Sequence, residues 1–104
     1  MLYIIYQTDK PDSADLRASV RNEHFKYLDD NKDILVLGGA TLAEDGATRT
    51  GSVLIVNVPS LEAVQKFSEN EPFRRNGLFS RVEINRMRRG QWNPDAAPKT
   101  AEGN

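Results

Sequence analysis

The sequence predicts an α+β fold of the split βαβ, ferredoxin-like kind, with the element order βαββαβ in one small domain. Three observations carry this. Aliphatic and aromatic runs begin at Leu2, Ile34, Gly51 and Leu78, and two segments with helical spacing separate them. The chain has 104 residues, 38% hydrophobic and 28% charged, which suits a single modest core and leaves no room for a second domain.

The elements follow in order. LYIIYQT, Leu2 to Thr8, is too short and too rich in strand formers for a helix, and its early position suggests a central strand. DKPDS, Asp9 to Ser13, carries turn chemistry, with Asp12 or Ser13 placed to cap the helix that follows and Asp15 in its first turn. That helix should run to about Asn31, with Leu16, Val20, His24, Tyr27 and Leu28 on its inner face and Asp29, Asp30 and Lys32 facing water. ILVLGGATL, Ile34 to Leu42, is a strand interrupted by Gly38 and Gly39, a pair that predicts a bulge or a close approach by a ligand or another backbone. Asp45-Gly46 marks the turn into GSVLIVNV, Gly51 to Val58, which is apolar on successive residues and so predicted to be buried on both faces.

Pro59 and Ser60 should stop that strand and cap a second helix, with Leu61, Val64, Phe67 and Ser68 inward and an end near Asn70, because Pro72 disfavours helical geometry at Glu71. EPFRRNG reads as a tight turn closing at Gly77. LFSRVEINRMRR, Leu78 to Arg89, reads as an edge strand with Val82 and Ile84 on one face and a loss of register near Arg86 and Met87. The folded domain is thus placed at residues 1–90. Residues 91–104 read as a polar, mobile tail with Trp92 as its one large side chain. Helices on one side of the sheet leave the other side of the third strand without a cover, and a second copy of the chain can supply it.

Charge and composition exclude several functions. The net charge of −1 gives no general attraction for nucleic acid or an anionic membrane, so neither is an expected partner. Arg86, Arg88 and Arg89 beside Trp92 have the look of a nucleic-acid contact, but on such a chain they read as a solvated strand end. Without cysteine and with one histidine, the common zinc sites cannot be assembled, and no metal is expected. No phosphate loop, dinucleotide fingerprint or nucleophile elbow is present, so no cofactor is expected. No leader precedes Leu2 and no apolar run is long enough to span a bilayer, which predicts a cytoplasmic protein.

His24 is the residue on which function turns. Its ordinary role on an apolar stripe is that of a core residue satisfied by one hydrogen bond; its functional role is that of a general acid or base near neutral pH. Arg17 and Arg21 flank it one turn apart, where they either hold an anionic substrate oxygen or pair with acids of a neighbouring strand. Tyr6 and Phe73 are candidate substrate contacts whose ordinary role is packing.

MLYIIYQTDKPDS, the RxxHxxYL of Arg21, His24, Tyr27 and Leu28, the LxLGG of the second strand, TGSVLIV, SLEAVQKF and ENEPFRRNGLF occur in succession. Together, over roughly Met1 to Arg88, they resemble the YciI-like (YCII-related domain) family. The resemblance implies a ferredoxin-like protomer that pairs face to face into a dimeric α+β barrel, as a homodimer or higher homo-oligomer. It also implies kinship with a chlorohydroxyhydroquinone dehydrochlorinase and an acid–base histidine with an acidic partner. Those roles fall on His24 and on Glu71, which stands where many members carry aspartate before Pro-Phe or Pro-Tyr. A cofactor-independent lyase or isomerase acting on a small cyclic or oxygenated metabolite is the function implied. The alternative is a non-catalytic module for small-ligand binding or dimerisation.

Overall fold

A computed structural model describes all 104 residues. The chain forms β1 (Leu2–Asp9), α1 (Ala14–Asp30), β2 (Leu35–Leu42), β3 (Arg49–Asn57), α2 (Leu61–Glu69), a one-turn helix α3 (Pro72–Arg75) and β4 (Phe79–Met87), with a short 3₁₀ turn at Pro94–Ala96. The four strands make one antiparallel sheet in the order β2-β3-β1-β4, so the first strand is central, as its early apolar run predicts.

Alternation along the strands decides which face the helices cover. Tyr3, Ile5 and Gln7 of β1 and Ser52, Leu54 and Val56 of β3 are buried on the helix side. Tyr3, Ile5, Leu54 and Val56 join Val58, Val64 and Phe67 in the main core, with Tyr27 and Leu28 of α1 packed against it. A second, smaller cluster of Val20, Phe73 and Leu78 lies under the start of α1. Ile4, Tyr6, Val53, Ile55 and Leu37 fall on the opposite side of the sheet, where the protomer provides no cover. The apolar run of β3 is therefore buried on one face within the protomer, not on both, and Val53 and Ile55 are only half-buried.

Several local expectations are corrected. Gly38 and Gly39 pair regularly with Leu54 and Val53; the β2–β3 register shifts instead between Leu35 and Leu37 and between Thr41 and Leu42. The close backbone approach is at Gly51, where a Cβ would stand 1.9 Å from the carbonyl oxygen of Gln7, so only glycine fits. β4 keeps its register with β1 through Arg86 and Met87 and is irregular at its start, opposite Thr8 and Asp9. The Ser13 side chain does not cap α1 but donates to the Lys10 carbonyl, 2.6 Å away. Leu61 is half exposed and does not join the inner stripe of α2.

Ser60 does cap α2, accepting from the Ala63 amide at 3.1 Å. EPFRRNG is a helical turn rather than a simple tight turn: Glu71 is its N-cap, Pro72 occupies the first helical position, and Gly77 closes it with φ +75°. No helix is long and apolar enough to cross a membrane.

Candidate functional site

The helical phase of α1 turns Val20 and His24 inward as its two buried residues. The one-turn helix α3 and its N-cap then deliver two side chains to His24, from either side of Pro72. Glu71, fully buried, places Oε1 against His24 Nδ1, while its Oε2 accepts from the Arg74 amide at 3.2 Å. The same carboxylate thus caps α3 and partners the histidine. Phe73 lays its ring on the imidazole, 3.9 Å between centroids and 17° from parallel.

His24 is 7% exposed. Its second ring nitrogen, Nε2, has no protein hydrogen-bond partner, yet the only side-chain polar atom both unpartnered and sealed from solvent is Gln7 Oε1. Nε2 therefore keeps some contact with solvent, although the side chain as a whole is buried. A carboxylate at Nδ1 holds that nitrogen as the N–H donor and leaves the lone pair on Nε2, the arrangement that lets an imidazole accept a proton and then be stabilised as imidazolium.

The Glu71 charge is felt beyond this pair. Burial first, and the Glu71 carboxylate second, raise the Tyr27 phenol above its ordinary 10.0. The Tyr27 hydroxyl donates to the Phe67 carbonyl at 2.8 Å, tying α1 to α2.

The remaining candidates divide. Arg17 grips both oxygens of Asp9, at 2.8 and 3.0 Å, and the Gly51 carbonyl at 2.9 Å, and its guanidinium lies over the Phe73 ring, 4.8 Å from the centroid. It is thus committed to an acid of β1 and to fixing the ends of β1 and β3. The Arg21 side chain is exposed and has no hydrogen-bond or ion-pair partner within the chain. Tyr6, 45% exposed, projects from the far side of the sheet, away from His24. So the fold gathers His24, Glu71, Phe73 and Arg17 and leaves Arg21 and Tyr6 apart. No three His, Asp or Glu side chains converge as a metal site would require.

The family model for the YCII-related domain matches residues 1–88. The chain belongs to the YCII-related domain family. Within it, the protein YciI of Escherichia coli O6:H1 is 34% identical over 91 residues, covering 81% of this chain and 93% of the relative. An uncharacterized protein of Haemophilus influenzae is 26% identical over the same shares of the two chains. Among solved structures, the 5-chloro-2-hydroxyhydroquinone dehydrochlorinase of Burkholderia phenoliruptrix, in complex with 2,5-dihydroxybenzoquinone, is 36% identical. It superposes with a TM-score of 0.80 over 85% of this chain and 94% of that one. The ferredoxin-like α+β architecture expected of the family is the one found.

Sequence reasoning missed the Gln7–Ser52 pair, in which Gln7 Nε2 donates to Ser52 Oγ at 2.9 Å beneath α1. A glutamine at an inward strand position, facing a serine across β3, was the available signal.

Proposed function

We propose that this YCII-related protein is a proton-transfer enzyme, a lyase or isomerase that uses no cofactor and acts on a small, cyclic, oxygenated metabolite. The observation that carries the reading is the buried His24–Glu71 pair whose free nitrogen keeps some contact with solvent. In the reaction, His24 Nε2 takes a proton from a hydroxyl or carbon of the substrate. The electron pair left behind forms a new double bond, and either a leaving group departs with its own pair or the proton returns at another atom. Glu71 orients the ring and offsets its positive charge while it holds the proton. Phe73 fixes the plane of the imidazole, and Arg17 holds Phe73 and the strand ends in place. The similarity to a dehydrochlorinase at 36% identity favours elimination over the other outcomes.

In the same reading, a second copy of the chain covers the open sheet face and closes the barrel, residues 1–90 make the folded unit, and the last residues are dispensable to it.

The test is chloride release from 5-chloro-2-hydroxyhydroquinone, the substrate named for the similar enzyme. Turnover by the native protein and a loss of roughly 10²–10⁴-fold in His24→Asn, assayed below the melting temperature of the variant, is the expected result. Saturable binding of that compound without turnover, equally tight in His24→Asn, would instead make the protein a non-catalytic binding module.

A further inference from the structure

At the Met1 end of the sheet, β4 runs out into Arg86, Met87, Arg88 and Arg89, and the chain then reverses. The Gly90 amide bonds back to the Arg88 carbonyl at 3.0 Å, a three-residue turn that brings Trp92 to the arginines. The Arg89 guanidinium lies over the indole, 5.5 Å from its centroid. Between these groups is a cleft of about 850 Å³ whose apolar floor includes Leu2 and Met87. Clefts that hold small molecules measure roughly 300 to 1,000 Å³.

The charge of this cleft is unbalanced. Arg17 pairs with Asp9 and Arg81 with Glu83, and Arg74 bonds to Ser68, while Arg21 stands by itself on α1. Arg86, Arg88 and Arg89 have no carboxylate partner, and no acidic residue lines the cleft. Three guanidinium groups crowded around one concavity repel each other and create a local positive potential that an anion relieves, even on a chain of net charge −1. In the protomer Trp92 is 58% exposed, a flat apolar wall at the end of the sheet.

We propose that the cleft bounded by Arg86, Arg88, Arg89 and Trp92 is a binding site for an organic anion with a flat apolar body, separate from the His24–Glu71 pair. The ring system of such a ligand lies along Trp92, Leu2 and Met87, and its carboxylate, sulfonate or phosphate takes paired N–H bonds from the guanidinium forks. A polyanion fits less well, because the guanidinium charge is confined to three arginines at the mouth of one cleft and does not extend as a track. The reading does not depend on any activity at His24.

Trp92 is the only tryptophan, so its emission reports on this cleft alone. The experiment titrates the native protein with anilinonaphthalene sulfonate, follows energy transfer from Trp92, and repeats the titration with neutral phenylnaphthylamine, which has the same aromatic frame without the sulfonate. Expected are one sulfonate bound per chain, quenched Trp92 emission, weaker binding as sodium chloride rises, weaker binding of the neutral compound, and roughly a tenfold loss of affinity in the R88Q/R89Q variant. That variant alters exposed side chains only, and its melting temperature serves as the control for folding. Equal affinity for the charged and neutral compounds, unchanged in R88Q/R89Q, would show mere adsorption to apolar surface and overturn the proposal. Tighter binding of an oligothymidylate that displaces the probe would make this a nucleic-acid contact. Trp92 emission already at the wavelength of a buried indole, with the probe refused, would mean that a second copy fills the cleft, which also overturns it.

Discussion

The Phe73 ring stacks on His24 at 3.9 Å, so the residue that anchors α3 in the core also fixes the plane of the one histidine. With Glu71 at Nδ1, the imidazole is held both in plane and in tautomer. Because there is one histidine, labelling with ¹⁵N-histidine gives a single pair of ring nitrogens. The neutral ring should show the proton on Nδ1; a dominant Nε2–H form would contradict the Glu71 pairing. Phe73→Leu should cost roughly 1–3 kcal/mol and broaden both signals, since leucine refills the volume only in part and offers no ring to stack on.

Glu71 does two jobs with two oxygens, and substitutions separate them. Glu71→Gln keeps the length and the cap to Arg74 but not the charge, and should lower turnover far more than it lowers stability. Glu71→Ala removes the cap, worth about 1 kcal/mol, and leaves a buried imidazole nitrogen unpaired, for a total of roughly 2–4 kcal/mol by urea unfolding. Equal stability in the two variants would mean that Glu71 does not cap α3.

Tyr27 gives the fold an alkaline limit. Burial and the Glu71 charge favour the neutral phenol, so the folded state holds its proton at a pH where the unfolded chain has lost it. Stability from this group is full below 10.0 and is lost as pH rises through the raised folded value. Tyr27→Phe should lose about 1 kcal/mol at neutral pH with the bond to Phe67 and melt less steeply with rising pH. In Glu71→Gln the phenol should titrate lower than in the native chain, read by absorbance.

The β2–β3 hairpin is governed by acid. Asp45 accepts from the Thr48 hydroxyl at 2.5 Å and from the amides of Ala47 and Thr48, and these bonds, the hydroxyl first, lower its carboxyl from 3.8 to about 2. The charged form is the one favoured by folding, so the contribution is present above 3.8 and disappears as pH falls through about 2. Asp45→Ala should speed amide exchange at Ala47 and Thr48 at neutral pH and leave the core amides of β1 unchanged. Native-like protection at those two amides in the variant would show that the backbone holds the turn unaided.

How much of this was legible depends on the range of the interaction. The phase of His24 on α1 and the cap at Ser60 could be read because they repeat or sit within one turn. The α3 helix is encoded locally too, since Pro72 not only ends α2 but also occupies the first position of a new turn capped by Glu71. The bulges were misplaced at Gly38 and Gly39 because glycine permits irregularity without requiring it, whereas register is set by cross-strand packing. The commitment of Arg17 to Asp9 and Gly51 depends on how α1 folds back over β1 and β3, which no local pattern encodes. Glu71 reaches His24 despite its extra methylene because α3 sets its backbone position, a tertiary fact.

The open face of the sheet is the surface on which a dimer is expected. Ile4, Tyr6, Val53, Ile55 and Leu37 form a contiguous apolar surface across β1, β3 and β2, and Leu37 is 64% exposed in the protomer. An apolar sheet face left in water is a standing cost that a second copy removes by placing the same face against it. Light scattering at micromolar concentration should therefore report a dimer, and Ile55→Lys, which sets a charge at the centre of that face, should give a monomer. Because Ile55 points away from the helices, the monomer should keep the β1–β3 pairing and the His24–Glu71 contact, visible in the single histidine spectrum. A native chain that scatters as a monomer, or an Ile55→Lys chain that still scatters as a dimer, would place the contact elsewhere and leave this face without a partner.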